Sequence, residues 1–147
     1  MQPCTICVQE LESFSLCVFG YVADVFACFG GKSVLVSIMS EQKCLVLNWN
    51  VRGLNNKARR KVVKDLAQDT KCTIATLQET KLEEVTAQDI GETLGIKFSK
   101  NFAYLPAQGT RGGALVAVDE DYYRISHSEF SEYTITVRVE STQCVSA

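Results

Sequence analysis

Residues 44–82 read CLVLNWNVRGLNNKARRKVVKDLAQDTKCTIATLQETKL, and the fold follows from this stretch. Leu45, Val46 and Leu47, followed by Trp49, form a continuous apolar run, as expected of a strand covered on both faces. Gly53 marks its exit, and Asn55 or Asn56 can cap a helix. In that helix Ala58, Val62, Val63, Leu66 and Ala67 share one face, with Arg59, Arg60, Lys61 and Lys64 mostly on the other. A second strand covers Thr73 to Gln78, rich in β-branched residues. Strand, helix and strand at this spacing make a right-handed βαβ unit with parallel strands. Asn50 and Glu79 then emerge side by side at the carboxyl ends of neighbouring strands, the edge where open α/β sheets bind ligands. Gln78 belongs to the opposite face from Glu79 and is expected to pack or make a structural hydrogen bond.

Downstream, a helix is expected over about 83–94, with Val85, Ile90 and Leu94 inward and Gly91 weakening it by about 1 kcal/mol relative to Ala. From Ile96 the period changes to two. Phe98, Phe102 and Tyr104 suggest a strand, 106–113 (PAQGTRGG) a loop, and 114–118 another strand. A short strand follows near 122–126. Tyr133, Ile135, Val137 and Val139 then alternate with polar residues in a half-buried strand. Upstream, 15–39 is strongly apolar but broken by Gly20, Asp24, Gly30, Gly31 and Lys32. A central Asp disfavours membrane insertion by roughly 2.5–3.5 kcal/mol, and Glu10 and Glu12 stand where a signal peptide needs basic residues. The text argues against a membrane role and against secretion, and for a nuclear or cytoplasmic protein. Residues 1–42 read as an apolar extension whose order the pattern does not fix, and 43–147 as the folded unit.

A chain of 147 residues with 46% hydrophobic and 22% charged residues suits one globular domain. The net charge of −2 gives no global attraction to nucleic acid, but Arg52, Lys57, Arg59, Arg60, Lys61 and Lys64 crowd one interval. Seven scattered cysteines include one CxxC, Cys4 and Cys7, with no second pair at zinc spacing, so reduced intracellular thiols are expected.

WNVRGLN followed by LQETKL across one helix resembles the opening of the endonuclease/exonuclease/phosphatase superfamily. The nearest likeness is to the apurinic-endonuclease-like domain of LINE-type non-LTR retrotransposons, particularly those of plants. GTRGGALVAV, DEDYYRIS and YTITVRV continue the likeness in order, from about Lys43 to Glu140. The resemblance implies a four-layer α/β sandwich, a mixed sheet with helices outside, of which this chain would be the truncated front half. It implies metal-dependent hydrolysis of DNA phosphodiesters, nicking a target to prime reverse transcription. Glu79 matches the family's carboxylate metal ligand, and Asn50 its active-site asparagine. The implied cofactor is Mg²⁺ or Mn²⁺, the partner is DNA, and no small-molecule cofactor is called for. Mg²⁺ takes hard oxygen ligands and usually only one or two protein carboxylates, which one Glu at a strand end satisfies.

Arg52 departs from the apurinic endonucleases, which carry an acid there; an arginine suits a phosphate rather than a metal. Arg59, Arg60 and Arg111, the last in the glycine-rich loop, are further candidates for nucleic-acid contact. The family's later motifs, a GDFN-like Asp/Asn pair and a terminal Asp–His pair, do not follow Glu140. The one histidine, His127, lies in ISHSEF and reads as an exposed loop residue. Two functions of different class therefore stand at this point. One is a fragment of a divalent-metal endonuclease, inactive alone for want of its second catalytic half. The other is a nucleic-acid-binding module that uses the basic face of residues 52–64 without catalysis.

Overall fold

The computed structural model describes residues 4–9, 16–19, 23–29, 32–39, 42–109, 111–131 and 134–142, with side chains described from Val46 onward. Four strands precede the deciding stretch: β1 (Cys4–Gln9), β2 (Leu16–Phe19), β3 (Ala23–Phe29) and β4 (Lys32–Met39). They are followed by β5 (Gln42–Asn50), α1 (Lys57–Thr70), β6 (Ile74–Gln78) and α2 (Ala87–Thr93). A single 3₁₀ turn at Ile96–Phe98 leads into β7 (Phe102–Leu105), β8 (Ala114–Val118), β9 (Tyr123–Phe130) and β10 (Thr134–Ser141). The class is α/β. A six-stranded mixed sheet has the order β3-β4-β5-β6-β8-β7, and a four-stranded sheet the order β2-β1-β10-β9.

The βαβ unit forms as its pattern requires: β5 and β6 pair in parallel, with Val46 opposite Ile74 and Asn50 opposite Gln78. Strand alternation then divides the core in two. Val46, Ile74, Ala114, Val116 and Val118 pack with Tyr123, Ile135, Val137 and Val139 of the second sheet. Leu47, Ala75, Leu77, Leu115 and Ala117 face the other way, onto Val63 and Ala67 of α1 and Ile90 and Leu94 of α2 and its cap. The described residues thus stack as helices on sheet on sheet. Both faces of β6 and β8 are covered, which is why every residue in each is buried.

α1 begins where Asn56 caps it, its Oδ1 accepting from the Ala58 amide at 2.7 Å, and ends at Lys71 in the left-handed region. Its buried stripe is narrower than the sequence suggests. Val63 and Ala67 are buried and Leu66 half-buried, whereas Ala58 is exposed and Val62 is 54% exposed. α2 is shorter than expected. Thr86 and Asp89 close a capping box at its start, so 83–86 form a lead-in with Val85 still buried. Phe98 sits in the 3₁₀ turn rather than a strand, and β9 runs on to Phe130 where a short strand was expected. Tyr133 lies outside the described residues. Among the described residues no helix is long and apolar enough to cross a membrane.

Candidate phosphodiester site at the β5–β6 edge

The carboxyl ends of β5 and β6 do lie together. Asn50 and Gln78 are register partners, so Glu79 is one residue past the partner of Asn50. Beyond the strands the two chains stay paired. The amides of Val51, Gly53 and Leu54 donate to the carbonyls of Gln78, Glu79 and Thr80 at 2.9, 2.7 and 2.8 Å. A third segment closes on the other side, where Thr80 and Lys81 amides donate to the carbonyls of Gly113 and Gly112 at 3.2 and 2.8 Å. The glycine-rich loop is therefore part of this edge through its backbone.

Three side-chain-bearing residues adopt left-handed backbone here: Arg52 (φ 53°), Glu79 (φ 54°) and Lys81 (φ 58°). Each such residue is disfavoured by about 1–3 kcal/mol, and strain of this kind clusters at functional sites. Asn50 helps hold its own turn, its Oδ1 accepting from the Arg52 amide at 3.2 Å. Asn55 Nδ2 donates to the Lys81 carbonyl at 3.1 Å and ties the two exit loops together.

A polar column approaches this edge on the inter-sheet face. Asn48 and Thr76 are opposite one another and fully buried, the Thr76 hydroxyl donating to Asn48 Oδ1 at 2.8 Å. Asn50 and Gln78 continue the column, Gln78 buried as expected. The Asn48 Nδ2 group has no hydrogen-bond partner among the described atoms. Sequence reasoning passed over Asn48. Its signal was the asparagine two residues before Asn50, at strand period.

Beside the edge runs an open groove of about 410 Å³, lined by Arg52, Gly53, Asn55, Asn56, Ala58, Arg59, Val62 and Lys81. Among the described residues its lining holds three cations and no carboxylate. Arg59 spans part of it to donate from Nη1 to the Val51 carbonyl at 3.0 Å. Lys81 completes the cationic lining.

The other candidates are placed elsewhere. Arg60 is turned inward, with its side chain only 13% exposed, donating to the Leu54 carbonyl at 2.7 Å. It also pairs with Asp89 at 2.8 Å and Glu92 at 3.0 Å. Burial alone would raise the Asp89 carboxyl, but hydrogen bonds from the Thr86 backbone, Arg60 and the Thr86 hydroxyl hold it below its ordinary value. Arg111 is exposed on its loop, bridged backbone to backbone with Gln108, and does not line the groove. His127 is exposed, as expected, but lies in β9 rather than a loop, its Nε2 3.1 Å from Glu129 Oε1.

Among the described residues no three His, Cys, Asp or Glu side chains converge as a metal cage. The oxygen donors nominated at the edge are the Glu79 carboxylate and the Asn50 amide, which already accepts from the Arg52 amide. Two hard oxygens with a single carboxylate fit Mg²⁺ or Mn²⁺, which keep most of their positions for water and phosphate, and do not fit zinc. The side chains of Cys4 and Cys7 lie outside the described set. No protein-family model matches the chain, and no curated protein matches it significantly.

Proposed function

We propose that the β5–β6 edge is one wall of a divalent-cation-dependent phosphodiester site for DNA, of the endonuclease/exonuclease/phosphatase type. The observation that carries this reading is the pairing of Asn50 with Gln78 at the ends of parallel strands, which brings Glu79 beside Asn50. Glu79 would hold Mg²⁺ or Mn²⁺, and Asn50 would orient the cation–phosphate network. The cation, when bound, supplies Lewis-acid stabilisation of charge on the phosphoryl oxygens. The protein's own part is to hold one carboxylate and one amide in fixed places and to set cations alongside. Arg52, Arg59 and Lys81 line a groove free of carboxylates, which suits the backbone of a nucleic acid.

Binding and cleavage separate here. Cleavage needs groups that activate water and protonate the leaving oxygen, and neither Asn50 nor Glu79 alone does both. The reading is therefore of a chain that binds a cation and DNA and does not nick it unaided. Supercoiled plasmid incubated with Mg²⁺ is expected to stay closed with both the wild-type chain and Glu79→Ala. Nicking that disappears in Glu79→Ala would make the chain a complete endonuclease. The acid-free groove also favours the second reading, a nucleic-acid-binding module; DNA binding indifferent to Mg²⁺ and to Glu79→Ala would select it.

A further inference from the structure

Glu79 lies just past the end of β6, in left-handed backbone that breaks the strand's alternation. Continued strand geometry would place residue 79 on the helix-facing side, opposite Gln78. The left-handed turn at Glu79, repeated at Lys81, takes this segment out of that alternation. Something must hold so strained a segment in place, and the loop that follows β5 supplies one side of the hold through the Gly53 and Leu54 amides.

The other side is Gly112–Gly113. Their carbonyls accept the Lys81 and Thr80 amides, and Gly113 itself is buried with φ +90°. A Cβ on Gly113 would lie 2.3 Å from Thr80 Oγ1, 3.2 Å from the Lys81 amide nitrogen and 3.4 Å from Ala107 Cβ. Real Cβ atoms do not approach so closely, so only a hydrogen fits between this backbone and Thr80. Gly109 in the same loop is a natural contrast: its φ is +65°, yet a Cβ there would meet nothing within 4 Å. Both adopt a positive φ, but only at Gly113 does a close contact add to it.

We propose that Gly113 and Thr80 form a positioning pair, in which the close approach of the glycine-rich loop fixes Glu79 in its left-handed conformation for cation binding. This inference rests on the reading of Glu79 as the cation ligand. The pair touches neither cation nor phosphate in this account; it acts on the backbone that carries the carboxylate. The same contact explains why 106–113, a loop by composition, is joined to the β6 exit rather than free of it.

The test compares Gly113→Ala, Gly109→Ala, Thr80→Ala and the double variant Gly113→Ala/Thr80→Ala in the full chain. Two quantities are read: hydrogen exchange of the Gly53, Leu54, Thr80 and Lys81 amides, and Mn²⁺ binding by electron paramagnetic resonance. Gly113→Ala is expected to speed exchange of those amides by at least about tenfold and to weaken Mn²⁺ binding by about tenfold, as loss of an outer-shell support does. Gly109→Ala is expected to leave both within about twofold, since its strain is local to the turn. Thr80→Ala clears the atom nearest the new methyl, so the double variant should recover a measurable part of the protection lost in Gly113→Ala, the remainder being the φ +90° strain and the approach to the Lys81 amide. If Gly113→Ala fails to fold, refolding of the double variant supports the pair and its failure to refold overturns it. Wild-type exchange in Gly113→Ala, or equal effects of Gly109→Ala and Gly113→Ala, would also overturn it. Absence of Mn²⁺ binding by the wild-type chain would sink the cation reading instead, and the exchange pattern would still decide whether the pair fixes the backbone.

Discussion

Arg59 and Arg60 sit side by side in one basic run, yet α1 turns them into different surroundings. Arg59 reaches over the β5 exit into a groove with no carboxylate among its described lining residues, while Arg60 is half-buried between the Leu54 carbonyl, Asp89 and Glu92. A helix advances about 100° per residue, so adjacent charges need not share a role. Arg60 joins α1 to α2 and holds the helix layer together. Arg59 has one hydrogen bond to a carbonyl and a charge left to offer. The lesson extends along the chain: a basic interval in sequence is not a basic surface until the helix phase and the acids opposite are known.

The largest effect that can break this contrast is on stability. Arg60→Ala leaves a carbonyl and two carboxylates without their shared donor, and is expected to destabilise the chain by about 2 kcal/mol in urea unfolding. Arg59→Ala is expected to cost under about 0.5 kcal/mol, since its side chain is exposed. Equal losses would show that the two arginines are not distinguished.

Next in size is the effect on DNA. Arg52→Ala, Arg59→Ala and Lys81→Ala should each weaken binding and reduce the slope of log K against log salt by about 1, whereas Arg60→Ala should leave the slope unchanged. Fluorescence anisotropy across a salt series measures this. A slope that falls with Arg60→Ala and not with Arg59→Ala would reverse the assignment.

The smallest expected effect is the pH dependence of the Arg60 cluster. Asp89 has a folded pKa below its ordinary 3.8, so it contributes stability above that value, lost as pH falls through the folded pKa. Asp119 has the opposite sign. Burial raises its carboxyl, so its contribution is present below 3.8 and lost as pH rises through the folded value. Asp89→Asn should therefore flatten the acid loss of stability below pH 3.8, and Asp119→Asn should remove the counter-slope above it. Thermal melts between pH 2.5 and 6, on the order of this titration range, would show the two changes. Identical profiles for both variants would remove the distinction.

The βαβ unit was legible because two apolar runs and one amphipathic helix leave a single connection of the right hand. The backbone juxtaposition of residues 50 and 79 was legible for the same reason: strand ends in a parallel pair must meet. Other features depend on tertiary contacts that no local pattern records. Val62 lines the groove instead of the core, and the inward turn of Arg60 follows from the position of α2. The place of Lys81 needed a groove, and that of Gly113 a backbone contact between segments distant in sequence. The four strands in the first forty residues escaped notice because glycine-broken apolar text carries no clean period. Their partners, β10 for β1 and β5 for β4, lie far along or next door with equal ease.

The central claim is that Glu79 is a cation ligand beside Asn50, and Mn²⁺ titration of the full chain followed by electron paramagnetic resonance tests it most directly. The account predicts one Mn²⁺ site that Glu79→Gln weakens by at least about tenfold, while Glu83→Gln, an exposed glutamate on the lead-in to α2, leaves it intact. Equal Mn²⁺ binding by the wild-type chain and Glu79→Gln would contradict it.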